Sequence, residues 1–310
     1  MGKEPMETAE LKIATIRARR KKLKHNLVCY SFILPNLIGF ATFTLVPMVF
    51  SLVLAFMHWD GANEISFAGL ENFRDLLKDE TFRIALFNTF YYVIGTVPLT
   101  MLCSLGLALL LNQPLAGRNL LRTTFFFPYV ASLVAVAVVW NMLFYPAAGP
   151  VNQILTVLGV ANPPRWSASV EWAMPTVILA TIWRNMGYYM VIYLAALQGI
   201  PSQLYEAASL DGANGWQRLR YVTLPLLTPA TFFISIMLTV TSFKVFDLIL
   251  VMTGGGPGRA TNVLVVHTYN TAFREFKFGY SSAIAMVLFL IVLLITIVQF
   301  RMEDRWGSYQ

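Results

Sequence analysis

Six long apolar runs determine what this chain can fold into. They cover residues 28–57, 84–111, 123–146, 172–197, 227–252 and 281–300. About 20 consecutive apolar residues are needed for a helix to cross a bilayer. Backbone polar groups cannot go unpaired in lipid, and the runs lack the alternating period of barrel strands. The sequence therefore predicts an all-α polytopic membrane protein with six transmembrane helices.

Composition agrees with this prediction. The 310 residues are 57% hydrophobic and 13% charged, whereas a soluble chain has about 25% charged residues. The polar stretch 1–26 precedes an apolar run much longer than the core of a signal peptide, so we expect no cleavage. Both cysteines, Cys29 and Cys103, lie inside apolar runs. They are too few for a disulfide framework or a zinc site.

The positions of Lys and Arg predict the orientation. Eight basic residues precede the first run, and the positive-inside rule places them in the cytoplasm. The loops alone do not decide, since those on the tail's side hold six basic residues and the others hold seven. An even number of spans then returns the C-terminus to the cytoplasm. We expect a cytoplasmic basic tail, a first span with its outer loop, a transmembrane core and a second cytoplasmic tail, over residues 1–27, 28–83, 84–301 and 302–310.

The net charge of +7 is explained by this topogenic excess. No basic patch with interleaved aromatic residues occurs, so nucleic acid is not an expected partner. Catalysis has little support. His25, His58 and His267 are far apart and belong to no hydrolase or metalloprotease motif.

A polar segment, residues 200–225, interrupts the apolar sequence between the fourth and fifth runs. Pro201 and Ser202 are typical of a helix start, and the stretch "DGANG" is typical of a turn. The segment therefore predicts two short helices. Such helices are marginal alone in water, and two interpretations stay open: a surface loop folded back on its own bundle, or a docking element for a soluble partner.

The segment "EAASLDGANGWQRLRYVTLPLL" resembles the EAA loop of permease subunits of binding-protein-dependent ABC importers. Leu219 stands where an aromatic is usual and Val222 where Ile is usual, and both keep an apolar side chain. "FAGLENF", "LLRTTFFFPYV", "LVMTGGGPGRAT" and "FGYSSAIAMVLFLIVLLIT" resemble the carbohydrate-importing branch, of the maltose and glycerol-phosphate type. The positions that match the EAA pattern are Glu206, Ala207, Ala208, Asp211, Gly212, Ala213, Leu224 and Pro225.

The resemblance implies a type I ABC importer permease fold and a role in the translocation path of a sugar or oligosaccharide. It implies a bacterial or archaeal cytoplasmic (inner) membrane location, with both termini cytoplasmic. The implied partners are a second permease subunit, an ATPase dimer, an extracytoplasmic substrate-binding protein, the sugar and membrane lipid. The residues expected to contact the ATPase, as a coupling helix, are Glu206, Ala207, Ala208, Asp211, Gly212, Ala213 and Gly215.

The chain is not expected to be an enzyme or to hold a cofactor. It lacks the phosphate-binding motif G-x-x-x-x-G-K-[ST], so ATP and Mg²⁺ are expected in the partner ATPase. The glycine cluster at 253–258 is interpreted as a mobile turn, with contact to the external binding protein as the alternative. Glu206 likewise has two interpretations: a contact with a partner Arg, or a charge interacting with its own helix dipole.

Arg184, Lys244 and Asp247 lie inside predicted spans, where charges are costly and usually face a bundle interior or an aqueous cavity. Lys244 and Asp247 are three residues apart, so they form either a mutually satisfied pair or part of a translocation path. An ion-coupled secondary transporter of a small polar solute is the alternative function, although Asp247 is the only acid deep in a span. The candidate path residues are Arg184, Asn185, Tyr188, Thr241, Ser242, Lys244, Phe246 and Asp247.

Overall fold

The computed structural model describes residues 21, 22, 24 and 26–306, with side chains through residue 302. Most of the predicted N-terminal tail and the end of the C-terminal tail therefore lie outside the described residues. The chain divides into two compact units, residues 1–54 and 55–310.

The described part of the first unit is one helix, α1, Asn26–Leu54. A π-helical turn, Ala41–Leu45, interrupts it shortly before Pro47. Proline has no backbone N–H to donate, so the regular hydrogen-bond ladder cannot continue unchanged there.

The second unit begins with a short antiparallel pair, β1 (Met57–His58) and β2 (Ser66–Phe67). The first helices that follow are α2 (Glu71–Lys78), α3 (Glu80–Leu111), α4 (Arg118–Val130), α5 (Leu133–Leu143) and α6 (Pro150–Val157). After a 3₁₀ turn, Trp166–Ala168, come α7 (Ala173–Gln198), α8 (Ser202–Leu210) and α9 (Gly215–Leu226). The unit ends with α10 (Thr228–Phe243), α11 (Asp247–Met252), α12 (Leu264–Phe273) and α13 (Phe278–Trp306).

The centre of the second unit is the packing of α3 along α7. In the N-terminal half of each helix, the Tyr92 hydroxyl lies 2.9 Å from the Thr181 hydroxyl. Near their ends, Ala108 and Leu197 belong to one apolar cluster. The two helices therefore run parallel, and their C-terminal ends lie at the same end of the bundle.

Gly187 permits the close approach of α4 to α7. A Cβ atom at this position would lie 1.8 Å from the carbonyl oxygen of Phe125 in α4. No side chain other than the hydrogen of glycine fits such a gap, so α4 is held directly against the backbone of α7.

Three described helices, α1, α3 and α13, are long and apolar enough to cross a membrane by length and composition. The number rises to five if the bent pairs α4–α5 and α9–α10 each count as one span. The helix α7 has 26 residues, which is long enough by length alone. The predicted count of six stays a prediction.

Two of the predicted spans are not straight helices. The third run bends by 100° between α4 and α5, where Ala131 and Ser132 leave the helical conformation. The fifth run is interrupted between α10 and α11. Lys244 follows the last residue of α10, and Asp247 begins α11. Lys244 and Asp247 therefore do not lie on one helix, and no ion pair joins them within the described side chains, so the interpretation as a mutually satisfied pair is wrong.

Candidate functional site

The segment formed by α8 and α9, residues 202–226, is called the coupling segment below. Gly212 makes its turn, because its φ is +79° and left-handed backbone of this kind favours glycine. The Asp211 amide donates to the Ala207 carbonyl (3.0 Å), and the Ala213 amide donates to the Ala208 carbonyl (2.9 Å). Gly215 is the first residue of α9 and does not adopt a positive φ. Of the two glycines in "DGANG", Gly212 is therefore the one that makes the turn.

Side chains cap and join the two helices of the coupling segment. Asn214 and Gln217 form a capping box at the start of α9, with bonds of 2.9 and 2.8 Å. The Tyr205 hydroxyl lies 3.0 Å from the Thr223 hydroxyl, and Arg218 Nη1 donates to the Ser209 hydroxyl at 3.1 Å. These bonds hold the two short helices together as a hairpin.

The coupling segment exposes large apolar side chains. Leu210 is 89% exposed, Trp216 67% and Tyr221 71%. Glu206 is also exposed, and as the fifth residue of α8 it lies outside the first turn. Because helix-dipole stabilisation is limited to the first turn, the dipole interpretation of Glu206 is not supported. The remaining predicted coupling residues lie in the same hairpin, where Ala208 and Ala213 are half-buried and Ala207, Asp211, Gly212 and Gly215 are exposed.

Two residues of the predicted path, Arg184 and Tyr188, contact Tyr129, a residue that the sequence did not single out. The Tyr188 ring stacks on the Tyr129 ring of α4, with centroids 4.3 Å apart and planes within 14°. The Arg184 guanidinium lies 5.1 Å from the centre of the Tyr129 ring. It also donates to the Tyr129 carbonyl (3.3 Å) and to Asn185 Oδ1 (3.2 Å). Tyr129 lies in the stretch "LLRTTFFFPYV". Nothing in that stretch distinguishes Tyr129 from the neighbouring aromatic residues.

The other path residues lie at the break between α10 and α11. Thr241 is exposed and Ser242 is buried in the last turn of α10, and Phe246 is half-buried. Lys244 is exposed at the C-terminal end of α10, and Asp247 is exposed in the first turn of α11. A cation at a helix C-terminus and an anion at a helix N-terminus are each favourable to the helix dipole. The two charges therefore stabilise the helix ends at the break instead of one another.

An open cavity of about 1120 Å³ lies at the other end of the second unit. We call it the hairpin cavity, since β1 and β2 line it together with the turn 254–262, α12 and the start of α13. Asn88 of α3 holds the turn in place by donating to the carbonyls of Arg259 (2.9 Å) and Asn262 (3.0 Å). The cavity lies at the N-terminal end of α3, whereas the coupling segment follows the C-terminal end of α7. Since α3 spans about 48 Å and runs parallel to α7, the two features lie at opposite ends of the bundle.

Asp79, His267 and Tyr280 bring three helices together in the wall of the hairpin cavity. The Tyr280 hydroxyl donates to Asp79 Oδ2 at 2.8 Å, and His267 Nε2 lies 3.4 Å from the same oxygen. Burial lowers the pKa of His267, against the opposing effect of the Asp79 carboxylate. Partial burial acts to raise the pKa of Asp79, but hydrogen bonds from Tyr280 and the Thr81 amide hold it below its usual range.

Comparison with known proteins gives a consistent result. Residues 97–308 match the family described as "Binding-protein-dependent transport system inner membrane component". The chain is 37% identical to the probable ABC transporter permease protein YesP of Bacillus subtilis, over 95% of this chain and 96% of that protein. It is 34% identical to the lactose transport system permease protein LacF of Rhizobium radiobacter, over 93% and 98% of the two chains.

A solved structure has a similar fold. It is the bacterial alginate ABC transporter in complex with alginate pentasaccharide-bound periplasmic protein, and one of its chains superposes with a TM-score of 0.82. The two sequences are 26% identical, and the match covers 92% of this chain and 96% of that chain.

Proposed function

The chain belongs to the family of binding-protein-dependent transport system inner membrane components, and from this premise we propose that it forms the translocation path for a sugar or oligosaccharide in an ABC importer. Family membership makes it a permease subunit, which does not itself hydrolyse ATP. The sugar class is supported by similarity to a lactose permease and to an alginate transporter, together with the sequence motifs of the carbohydrate branch.

The observation that carries the proposal is the exposure of large apolar side chains on the coupling segment. Three large side chains, Leu210, Trp216 and Tyr221, are mostly solvent-accessible on a segment whose shape is determined by its own hydrogen bonds. Exposed apolar patches of this kind mark interaction sites. We propose that the segment docks into a separate ATPase subunit, which binds ATP and Mg²⁺ and transmits its closure to α7 and α10.

The same geometry supports the proposed topology. Placing the basic tail 1–27 and the coupling segment in the cytoplasm puts the hairpin cavity outside, because it lies at the opposite end of α3. It also makes α7 the fourth of six spans and α13 the sixth, with the C-terminal tail 302–310 returning to the cytoplasm. The test is labelling of Trp216→Cys with an impermeant thiol reagent, after Cys29 and Cys103 are replaced by serine. Labelling from outside intact cells would contradict this topology.

The translocation path is proposed to run along Arg184, Tyr188 and the break between α10 and α11. Aromatic faces suit the C–H faces of a pyranose ring, and the neighbouring Asn185, Thr241 and Ser242 offer hydrogen-bonding groups. A second permease subunit is proposed to complete the path, and an extracytoplasmic binding protein to supply the sugar.

Glu206→Lys tests the docking proposal. An attraction to a basic group of the ATPase becomes repulsion, while the transmembrane helices stay intact. The expected result is loss of ATPase from a pull-down of the membrane complex, together with loss of sugar uptake. Glu171→Lys is the matched control, since Glu171 is also exposed but lies just before the N-terminal end of α7, away from the coupling segment and outside the hairpin cavity. If Glu206→Lys retained both the ATPase and uptake, the docking proposal would be wrong.

The glycines of the turn give a second matched pair. Gly212→Ala forces a side chain into left-handed backbone, whereas Gly215→Ala is unstrained, and at both positions a Cβ has open space around it. We expect weaker ATPase retention for Gly212→Ala alone. A secondary transporter would co-purify with no ATPase, whichever variant is used. A preparation that transports sugar without an ATPase would therefore contradict the whole proposal.

A further inference from the structure

An array of five aromatic side chains connects the hairpin cavity to the break between α10 and α11. Neighbouring ring centroids in this array are separated by 5.1, 5.3, 6.1 and 5.2 Å. All five rings are at least partly accessible, and the central one, Phe273, is 60% exposed. We call the array the aromatic track; in spatial order it consists of Phe246, Tyr269, Phe273, Phe278 and Trp59.

The wall of the hairpin cavity holds buried polar atoms that the described residues leave without a hydrogen-bond partner. They are Asn262 Oδ1, Asn270 Oδ1 and Thr271 Oγ1. Asn262 is 8% exposed and Thr271 is 1% exposed. Because an unpaired buried polar atom costs free energy, each of these atoms calls for a partner, which an ordered water or a ligand hydroxyl in the cavity can supply. Two amide oxygens and a hydroxyl suit a ligand that carries several hydroxyl groups.

The charges around the cavity are nearly balanced. Five carboxylates and four Lys or Arg side chains line it, namely Asp60, Glu64, Asp75, Asp79, Glu275, Lys78, Arg259, Arg274 and Lys277. Some of them are already paired, as Lys277 Nζ is with Glu275 Oε2 at 2.9 Å. A mixed lining of this kind gives no strong preference for an anion or a cation. It favours a neutral ligand.

The size of the cavity suits an oligosaccharide. Pockets for small molecules usually measure about 300–1,000 Å³, and the hairpin cavity, at about 1120 Å³, lies just above that range. From these observations we propose that the hairpin cavity and the aromatic track form a binding site for a neutral saccharide, which enters there before it reaches the break between α10 and α11. This inference rests on the proposed function and names both a second site and a substrate class. It differs from the path around Tyr188, which lies on other helices.

The track is tested by a pair of exposed phenylalanines. Phe273→Ala interrupts the track, whereas Phe276→Ala removes a ring that is 59% exposed but lies outside it. An aromatic stacking contact contributes about 0.5–1.5 kcal/mol, which corresponds to about 2- to 12-fold in affinity. We expect Phe273→Ala to weaken saccharide binding by that factor and Phe276→Ala to leave it unchanged.

The cavity wall is tested by Thr271→Val, which keeps the shape of the side chain and removes the hydroxyl. If Thr271 Oγ1 serves a ligand, the variant should bind saccharide more weakly while its Tm is unchanged or higher, because an unpaired buried hydroxyl is lost. A purely structural role for this hydroxyl predicts a lower Tm instead.

Binding is measured by calorimetry on the whole transporter, with its partner permease and ATPase, in lipid nanodiscs. The neutral probes are maltose, maltotriose, trehalose, lactose, cellobiose, xylobiose and raffinose, and the acidic probes are di- and trisaccharides of mannuronate and galacturonate. Binding of a neutral probe that Phe273→Ala and Thr271→Val weaken would support the inference. Binding of acidic probes alone would overturn it.

Two further outcomes separate this inference from the proposed function. If both variants bound and imported saccharide like the wild type, the second site would be wrong while the importer proposal stood. If they weakened only the docking of ligand-free binding protein, the cavity would be a protein-docking surface and the saccharide site would again be wrong. Absence of an ATPase from the preparation would instead refute the proposed function.

Discussion

The Tyr205 hydroxyl of α8 lies 3.0 Å from the Thr223 hydroxyl of α9. The two residues are 18 positions apart, so this hydrogen bond closes the hairpin of the coupling segment across its turn. A docking element that transmits force must keep its shape when its partner moves. The bond between Tyr205 and Thr223 provides part of that rigidity.

Tyr205→Phe should loosen the hairpin without removing its apolar surface. Loss of one such hydrogen bond costs about 0.5–1.5 kcal/mol. We expect a lower Tm of the complex and weaker coupling of ATP hydrolysis to uptake. Tyr221→Phe is the control, because Tyr221 is 71% exposed and its hydroxyl makes no hydrogen bond to the described residues. Equal effects of the two variants would show that the bond is not important for coupling.

Gly187→Ala should separate α4 from α7. The added methyl group would lie 1.8 Å from the Phe125 carbonyl oxygen, and overpacking of this kind costs about 1–3 kcal/mol. Gly106→Ala is the matched control, because a Cβ there meets nothing within 4 Å in the described structure. We expect a clear fall in Tm for the first variant and none for the second. Equal Tm values would contradict the close approach.

Tyr188→Ala should weaken sugar uptake by removing the ring that stacks on Tyr129. Tyr188→Phe keeps the stacking and removes only the hydroxyl, so it should remain close to the wild type. If the sugar stacks on the Tyr188 ring along the proposed path, loss of a contact worth about 0.5–1.5 kcal/mol predicts a KM for uptake raised by about 2- to 12-fold. If Tyr188→Ala transported sugar with unchanged KM, the path would not pass this ring.

Stability should fall as the pH drops below about 6.5. Burial lowers the pKa of His267 from its ordinary value of 6.5, so the unfolded chain takes up this proton before the folded protein does. The pKa of Asp79 is also lowered from its ordinary value of 3.8. The contribution of Asp79 to folding stability is therefore complete above the ordinary pKa and is lost when the pH falls below it. We expect Tm to be constant above pH 7 and to decrease below 6.5.

His267→Asn should flatten this dependence between pH 5 and 7. His58→Asn is the control, since the His58 side chain is 48% exposed on the same cavity. If the slope of Tm against pH were the same in the wild type and in His267→Asn, burial of His267 would not be its cause.

The long helices could be predicted from the sequence because their apolar runs are nearly uninterrupted. The runs 84–111 and 172–197 correspond closely to α3, Glu80–Leu111, and α7, Ala173–Gln198. The turn at Gly212 was also predictable, since a glycine in "DGANG" is a local signal that needs no tertiary information. The hairpin of the coupling segment therefore follows largely from its own sequence.

The breaks and clusters could not be predicted, because tertiary packing produces them. No glycine or proline marks the break at Lys244, and the run there looks continuous. Tyr129 meets Tyr188 only because Gly187 allows α4 to approach α7. The hairpin cavity combines stretches near residues 58–81 and 254–280, and their proximity depends on the packing of α3, α12 and α13.

Photo-crosslinking tests the central claim, that the coupling segment docks into the ATPase, most directly. Benzoylphenylalanine replaces Leu210, which is 89% exposed on the coupling segment, or Phe276, which is 59% exposed at the opposite end of the bundle. Each complex is illuminated in its native membrane, and the crosslinked partner is identified by mass spectrometry. The account predicts that position 210 crosslinks to the ATPase and that position 276 does not. Crosslinking of the ATPase from position 276, or its absence from position 210, would contradict the account.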